Sequence, residues 1–431
     1  MPINRRSFLH VTAITASLSA AAACSSSSPS PSSSSGAPAA DATVDPAAPA
    51  AGGAKADLVI WADQKKAESI RDKAAAWGQA QGITVAVQIV ANDALQTNFV
   101  TANQAGNGPD IVIGAHDWIG NLVQNGSIVP VNISAKAKEN YSDVVLTAVT
   151  YDSQTYAVPY AVECVALYVN KALTSHTAPQ SIEEIVEAGK AAGTKAALAI
   201  QVGEAGDAYH LEPIFTAGGG YMFGKNADGS YNADDLGVGG EGSIKAAEKI
   251  AWMGQQGALT TSIDKNNAIS TFTDGNAPYL LTGPWALADV KKAGMDYAVV
   301  KVPGFESIPG SQARPFAGVN CFYVASNGAN KGFAESFVID VAKDSSFAEA
   351  MMASNELPPA QKDLIEKLKS TSPEMAAFND FAASADPLPS IPAMAAVWGP
   401  LGKAQANIIN GADPTSTMTS AGEEIKRSIQ G

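Results

Sequence analysis

From Gly106 to Asp117 the chain reads Gly-Asn-Gly-Pro-Asp-Ile-Val-Ile-Gly-Ala-His-Asp. Gly108-Pro109 breaks whatever element precedes it. Ile111-Val112-Ile113 is an apolar run long enough for one buried strand, and Gly114-Ala115 then clears space before His116 and Asp117. A charged side chain just past the carboxyl end of a strand stands where open α/β sheets bind ligands. A plain strand-to-helix loop has the same outline, so the stretch alone leaves both readings open.

The preceding residues supply the frame. Asp57–Trp61 is a short apolar strand, and Glu68–Gln81 carries Ile70, Ala74 and Trp77 at helical spacing. Gly82 stops that helix. Ile83–Val90 is strand-like, and a second helix is expected over Asp93–Gln104. Strand, helix, strand, helix, strand implies a parallel sheet with right-handed crossovers. Downstream, short helices are expected at Gly120–Gly126 and Tyr141–Val149, and Ser181 with Glu184 forms a capping box opening a helix to Ala192. A second α/β region follows, with a strand at Ala197–Gln201, helices near Tyr209–Thr216 and Gly242–Gln256, and a strand at Pro278–Leu281. Two β-rich runs, Pro159–Lys171 and Arg314–Val324, are long enough to cross between two lobes. Helices are expected within Lys331–Asn355, Pro358–Lys369 and Leu401–Asn410.

The chain has 431 residues, with 42 acidic against 28 basic ones and a net charge of -14. That length admits two or three domains, and the charge argues against nucleic acid, which wants basic stripes. Residues 1–23 read as a signal peptide. Arg5-Arg6 precedes an apolar stretch from Val11 to Ala23, and Ala21–Ala23 lead into Cys24. The pattern resembles a lipoprotein leader, with a pair of arginines resembling a twin-arginine signal, so lipidation of Cys24 is expected. Residues 24–55 are almost wholly Ser, Ala, Pro and Gly, too poor in apolar groups to offset chain ordering. The segment reads as a flexible tether holding an exported domain to the outer face of the cytoplasmic membrane.

Asp63, Asp117, Glu163 and Asp207 all fall in loops or at strand ends. They admit two chemistries: acid–base hydrolysis of a glycoside, or hydrogen bonding to sugar hydroxyls. Four histidines, none spaced with Cys or Glu as metal ligands, give no metal site, and no cofactor is expected. No phosphate loop or Gly-x-Ser-x-Gly elbow is present. Of six tryptophans, Trp77 and Trp252 fall on apolar helix faces. Trp61, Trp118, Trp285 and Trp398 sit where strands or turns meet helices. Flat rings beside loop carboxylates suit a sugar, whose C–H face stacks while its hydroxyl rim needs polar partners.

Several motifs occur in one order. They include Val59-Ile60-Trp61, Gly108-Pro109-Asp110-Ile111, Ala115-His116-Asp117, Pro159-Tyr160-Ala161-Val162-Glu163 and Asn170-Lys171. Gly219-Gly220-Tyr221, Gly283-Pro284-Trp285-Ala286, Phe316-Ala317-Gly318-Val319 and Pro389–Met394 with Trp398 follow. From about Asp57 onward the chain resembles the maltose/maltodextrin-binding proteins of ABC importers. The resemblance implies a monomeric two-lobed α/β fold, periplasmic-binding-protein-like. Each lobe would be a mostly parallel sheet flanked by helices, joined by crossing strands and closing on an oligosaccharide passed to a permease.

Lobe 1 would comprise residues 56–162 and 320–372, and lobe 2 residues 163–319 and 373–431. By position, Asp63, Lys65 and Asp117 would bind hydroxyls from the first lobe and Glu163 from the crossing strand. Asp207 and Tyr209 would act from the second lobe, while Trp285, Met394 and Trp398 would form the stacking floor. The chain departs from the family at Gly114, where Gram-negative relatives carry Trp, and at Trp118 and Gly402, which replace arginines. Trp118 is therefore taken as a sugar-contacting residue as well. Another sugar, such as trehalose or a galactoside, and a hydrolase using Glu163 with Asp117 or Asp207 are the rival readings. Cys164 and Cys321 lie on the two crossing runs. Export permits oxidation, so a disulfide bracing the hinge is expected, with two buried thiols as the alternative.

Overall fold

The computed structural model describes residues 56–227, 229–355, 357–383 and 385–430. The leader, Cys24 and the Ser/Ala/Pro tether lie outside the described residues. The described chain builds two α/β sheets. In the first, Leu58–Ala62 lies between Val85–Ile89 and Ile111–Ala115 and runs parallel to both. The long strand Phe316–Val324 is antiparallel to Ile111–Ala115 and to Ala157–Glu163, and its first residues pair in parallel with Asp386–Pro387. The second sheet has the order Tyr297–Val300, Ala166–Asn170, Tyr279–Thr282, Ala199–Ile200. Its first two pairings are antiparallel and its last is parallel.

The two-lobed α/β fold is therefore present, but its sheets are mixed instead of mostly parallel. Strands that arrive from the other half of the molecule enter a sheet from its opposite end, so they run against the βα units already there. The first crossing is abrupt. Ala157–Glu163 belongs to the first sheet and Ala166–Asn170 to the second, with only Cys164 and Val165 between them. Phe316–Val324 lies wholly in the first sheet, and the connection to it from the second is the loop after Val300.

Local sequence explains most of the elements. The helix Gln64–Gln81 buries Ala67, Ile70 and Ala74 on one stripe and ends on Gly82 in the left-handed conformation. Asp63 is its N-cap, accepting from the Lys66 amide at 3.1 Å, so the helix begins four residues before the expected start. Ser181 caps Ile182–Ala191 as its spacing implies. Its partner Glu184 does not reciprocate to Ser181 but accepts from the Gln180 amide instead. Helices at Pro373–Ala383 and Pro414–Gln430 escape a reading that treats proline as a breaker. Both start on their proline, where its missing N–H costs nothing.

The disulfide is not formed. Cys164 and Cys321 are both buried free thiols. Cys321 lies opposite Pro159, whereas Glu163, the neighbour of Cys164, lies opposite Gly318. An offset of several residues at about 3.3 Å each exceeds the ~7 Å between Cα atoms that a disulfide can span. Each thiol hydrogen-bonds a carbonyl instead, Cys164 to Phe378 at 3.6 Å and Cys321 to Val319 at 3.5 Å. Alkylation of denatured, unreduced protein followed by peptide mapping should find both cysteines modified. An unmodified, cross-linked peptide pair would contradict this register.

Candidate ligand-binding site

The strand Ile111–Ala115 ends in a single turn, His116–Trp118, before the helix Ile119–Gln124. His116 is completely buried. Its Nδ1 accepts from the Val319 amide at 3.0 Å, and its Nε2 lies 3.0 Å from the Leu388 carbonyl, to which it donates. Burial drives its pKa down to about 4, so it is a neutral imidazole at physiological pH. The ring thereby ties the strand tip to the crossing strand and to the segment leading towards Met394. The Gly120 amide donates to the Ser390 carbonyl at 3.0 Å and closes the same joint.

Beside this joint Asp117, Met394 and Trp398 line one cavity of about 370 Å³, together with Gln96, Thr101 and Asn121. Burial pushes the Asp117 carboxyl up to about 7, and the charge of Glu163 adds to the shift. Glu163 ends its strand opposite Gly318. A Cβ at position 318 would stand 3.0 Å from the Glu163 Cγ, so the glycine makes room for that side chain. Burial raises the Glu163 pKa, the Lys66 ammonium opposes it, and Asp63 adds a further upward push.

On the second sheet's side, Asp207 caps the helix Ala208–Ala217. It accepts from the His210 amide at 2.9 Å, from the His210 ring at 3.0 Å and from Gln201 at 2.5 Å. Burial works against its charge, but these partners outweigh burial and hold the carboxyl below its usual range. Tyr209 and His210 flank Trp285, with ring centroids 6.3 Å and 5.8 Å away. Burial raises the Tyr209 phenol well above its usual value, and the charges of Glu163, Asp207 and Asp117 contribute. Those couplings join the second-sheet residues to Glu163 and Asp117.

Three buried polar atoms around Glu163 have no hydrogen-bond partner, Tyr160 Oη, Tyr209 Oη and His210 Nε2, while the Asn320 side chain lies within reach of the Glu163 carboxyl and favours its charged form. Each of these side chains interacts electrostatically with Glu163. An unmet buried donor or acceptor costs ~1–3 kcal/mol, and native interiors leave few of them. Three in one place define a polar surface left incomplete by the protein's own groups.

One expected residue faces elsewhere, and another is held against its own strand. Lys65 is exposed, while Lys66 donates to Asp63 at 2.5 Å and lies towards Glu163. With the helix starting at Gln64, one residue is a 100° turn, and only the second lysine returns to the Asp63 side. Trp118 folds back over the strand end. A Cβ at Gly114 would stand 2.0 Å from the Trp118 ring, so the ring occupies the space a residue-114 side chain would need. The arrangement recurs at Gly283, where a Cβ would stand 2.0 Å from the Trp285 ring. The Asp207 loop also needs a glycine, at 206: its φ is 80°, and a Cβ there would meet the Gly402 carbonyl at 1.7 Å, whereas a Cβ at 402 would come no nearer than 3.2 Å to Gly206. Trp61 is no platform, being buried with its indole N–H on Gln88 at 2.8 Å.

Lys66, Tyr160, His210 and Asn320 were not singled out by sequence. Tyr160 stood inside a quoted motif and His210 beside Tyr209, but Lys66 depends on the helix start and Asn320 on strand register. Among the described residues no group of three His, Cys, Asp or Glu side chains is placed to hold a metal ion.

Two α/β lobes with carboxylates, aromatic rings and unmet polar atoms gathered where crossing strands meet define a solute-binding protein. The chain belongs to the bacterial extracellular solute-binding protein family, whose model matches residues 73–381. It is 28% identical over 385 residues to a galactooligosaccharide-binding protein of Bacillus subtilis, covering 87% of this chain and 90% of that one. It is 29% identical over 344 residues to a maltodextrin-binding protein of the same organism, covering 74% and 77%. It is 24% identical over 404 residues to a maltooligosaccharide ABC transporter solute-binding lipoprotein of Streptococcus pneumoniae, covering 90% and 92%.

Two adjacent residues should shape the pH dependence in opposite senses. The folded pKa of Asp117, about 7, is raised above the 3.8 of a free side chain. Its contribution is therefore present below about pH 4 and is lost as pH rises towards 7. His116 is depressed from 6.5 to about 4, so its contribution is present above pH 6.5 and is lost on acidification, by up to ~3 kcal/mol. In denaturant titrations of ligand-free protein from pH 4 to 8, Asp117→Asn should stabilise at pH 8 with the gain fading by pH 4. His116→Gln should destabilise most at pH 7 and lose less on acidification than the parent. Gly114→Ala should cost ~1–3 kcal/mol by displacing the Trp118 ring.

Proposed function

We propose that this chain is the sugar-capturing component of an ABC importer, taking maltose or a short maltodextrin and delivering it to membrane permease subunits. The observation that carries the reading is the convergence on Glu163 of carboxylates, aromatic rings and unpartnered polar atoms from both sheets. Asp63, Asp117, Glu163 and Asp207 would accept from or donate to hydroxyls. Trp285, Met394 and Trp398 would take the apolar ring faces, with Tyr209 beside them. Lys66 would replace Lys65 as the cleft cation, and Trp118 would act from above Gly114. Micromolar affinity, about -8 kcal/mol, lies within reach of such contacts.

A galactooligosaccharide is the second reading, favoured by the extent of the match to the Bacillus subtilis galactooligosaccharide-binding protein. The carboxylates would serve binding and not hydrolysis, as the relatives are binding proteins. Lobe boundaries at 162/163 and 372/373, with the expected one at 319/320 moved to 315/316 because Phe316–Val324 lies wholly in the first sheet, monomeric action, and anchoring through Cys24 on the outer face of the cytoplasmic membrane belong to the same proposal.

Calorimetry against maltose, maltotriose, trehalose, sucrose and a galactotriose separates these sugars. Heat with maltose or maltotriose, weakened at least about tenfold by Glu163→Gln or Trp398→Ala (~1.4 kcal/mol), is the expected result. No heat with the glucosides would reject the assignment to that class, and heat only with galactotriose would select the second reading. Cys24→Ala should release the protein from cell membranes into the medium.

A further inference from the structure

A second cavity, of about 310 Å³, opens beside the helix Ala208–Ala217, between it, the hairpin of strands Phe223–Lys225 and Tyr231–Leu236, and the start of the strand Phe316–Val324. Glu212, Arg314, Lys225, Tyr221, Tyr231 and Phe316 are among its walls. Glu212 is only 2% exposed, and its Oε2 has no hydrogen-bond partner. Arg314 lines the same space and its charge reaches Glu212, yet the two form no ion pair. A carboxyl and a guanidinium facing one cavity without touching leave room for a ligand's polar atoms between them.

The remaining polar groups are already matched. Lys225 pairs with Asp386 at 2.5 Å and sits over the Tyr231 ring at 5.3 Å, and Tyr221 donates to Asp235 at 2.9 Å. Tyr221 stays 39% exposed, which leaves a flat ring at the mouth. Burial raises the Glu212 carboxyl well above its usual value, which favours the neutral form, able both to donate and to accept. An anion would meet Glu212, Asp235 and Asp386, and a cation would meet Arg314 and Lys225. A neutral polyhydroxylated ring suits both the mixed charge and the aromatic rim.

We propose that this pocket is a second saccharide site, accepting one neutral hexose unit through Glu212 and Arg314 with Tyr221 against its apolar face. It does not depend on which sugar fills the main cleft. The two sites share structure. The helix Ala208–Ala217 carries Tyr209 and His210 on the cleft and Glu212 on the pocket. The pocket wall Phe316 meets Trp398 edge-on at 6.4 Å.

The test is saturation-transfer NMR with D-glucose and D-galactose on the full chain carrying Glu163→Gln and Asp117→Asn, which disable the cleft without touching the pocket wall. A signal should persist there, with affinity weakened about fivefold by adding Glu212→Leu, which removes both donor and acceptor at similar volume, the loss of about one hydrogen bond. It should also fall with Tyr221→Ala, whose exposed position leaves folding intact. A signal unchanged by both pocket substitutions, no signal with either hexose, or binding of tetramethylammonium in their place would overturn the proposal. Oligosaccharide calorimetry on Tyr221→Ala with the cleft intact keeps failure of the pocket distinct from failure of the cleft.

Discussion

A neutral imidazole holds the binding region together. His116 accepts one backbone N–H from the crossing strand and donates to one carbonyl of the segment before Met394. Both partners lie more than 200 positions away in sequence. Because the ring is fully enclosed, each of those bonds is made without competition from water, and losing either would strand a buried backbone group. Asp117 and Trp118 follow directly in the chain, so their placement is inherited from this joint. The cavity that Asp117 shares with Met394 and Trp398 exists because His116 and Gly120 bring the two segments into contact.

The cleft is built against its own stability. Asp117 and Glu163 are carboxyls whose charge is disfavoured by burial, with Glu163 adding to the effect on Asp117 and Asp63 to the effect on Glu163. Tyr160, Tyr209 and His210 hold polar atoms with nothing to meet. Such features concentrate where a protein accepts a free-energy cost for function. Asp207 shows the contrast: with two bonds from His210 and one from Gln201 it is settled in its ionised form. One carboxylate is locked as an acceptor while burial favours the neutral form of the other two, a mixture of acceptors and donors of the kind the proposed function calls on.

The aromatic platforms follow a shared device. Trp118 and Trp285 each lie in a one-turn helix after a strand and fold back over a glycine at that strand's end. Bare backbone there lets an indole lie flat on the sheet edge. This accounts for the glycine at position 114 together with the tryptophan at 118, two departures from the resembling family that compensate one another sterically. The third departure, Gly402, has no such steric cause, since a Cβ there would come no nearer than 3.2 Å to its neighbours.

Strand and helix periodicity, the acidic balance and the ordered motifs were legible in the residues, and with them the two-lobed α/β class and most of the carboxylates and rings. Local chemistry suffices for that, because alternation, caps and turn glycines act within a few residues. Register and helix phase are long-range outcomes. Whether Cys164 meets Cys321 depends on how two strands slide past each other, and whether Lys65 or Lys66 faces Glu163 depends on where one helix begins. Mixed sheet direction depends on which end a crossing strand enters. The residues by themselves determined what kinds of groups line the site. Only the packed chain decided which of them face one another, since facing across strands is set by pairings hundreds of positions apart.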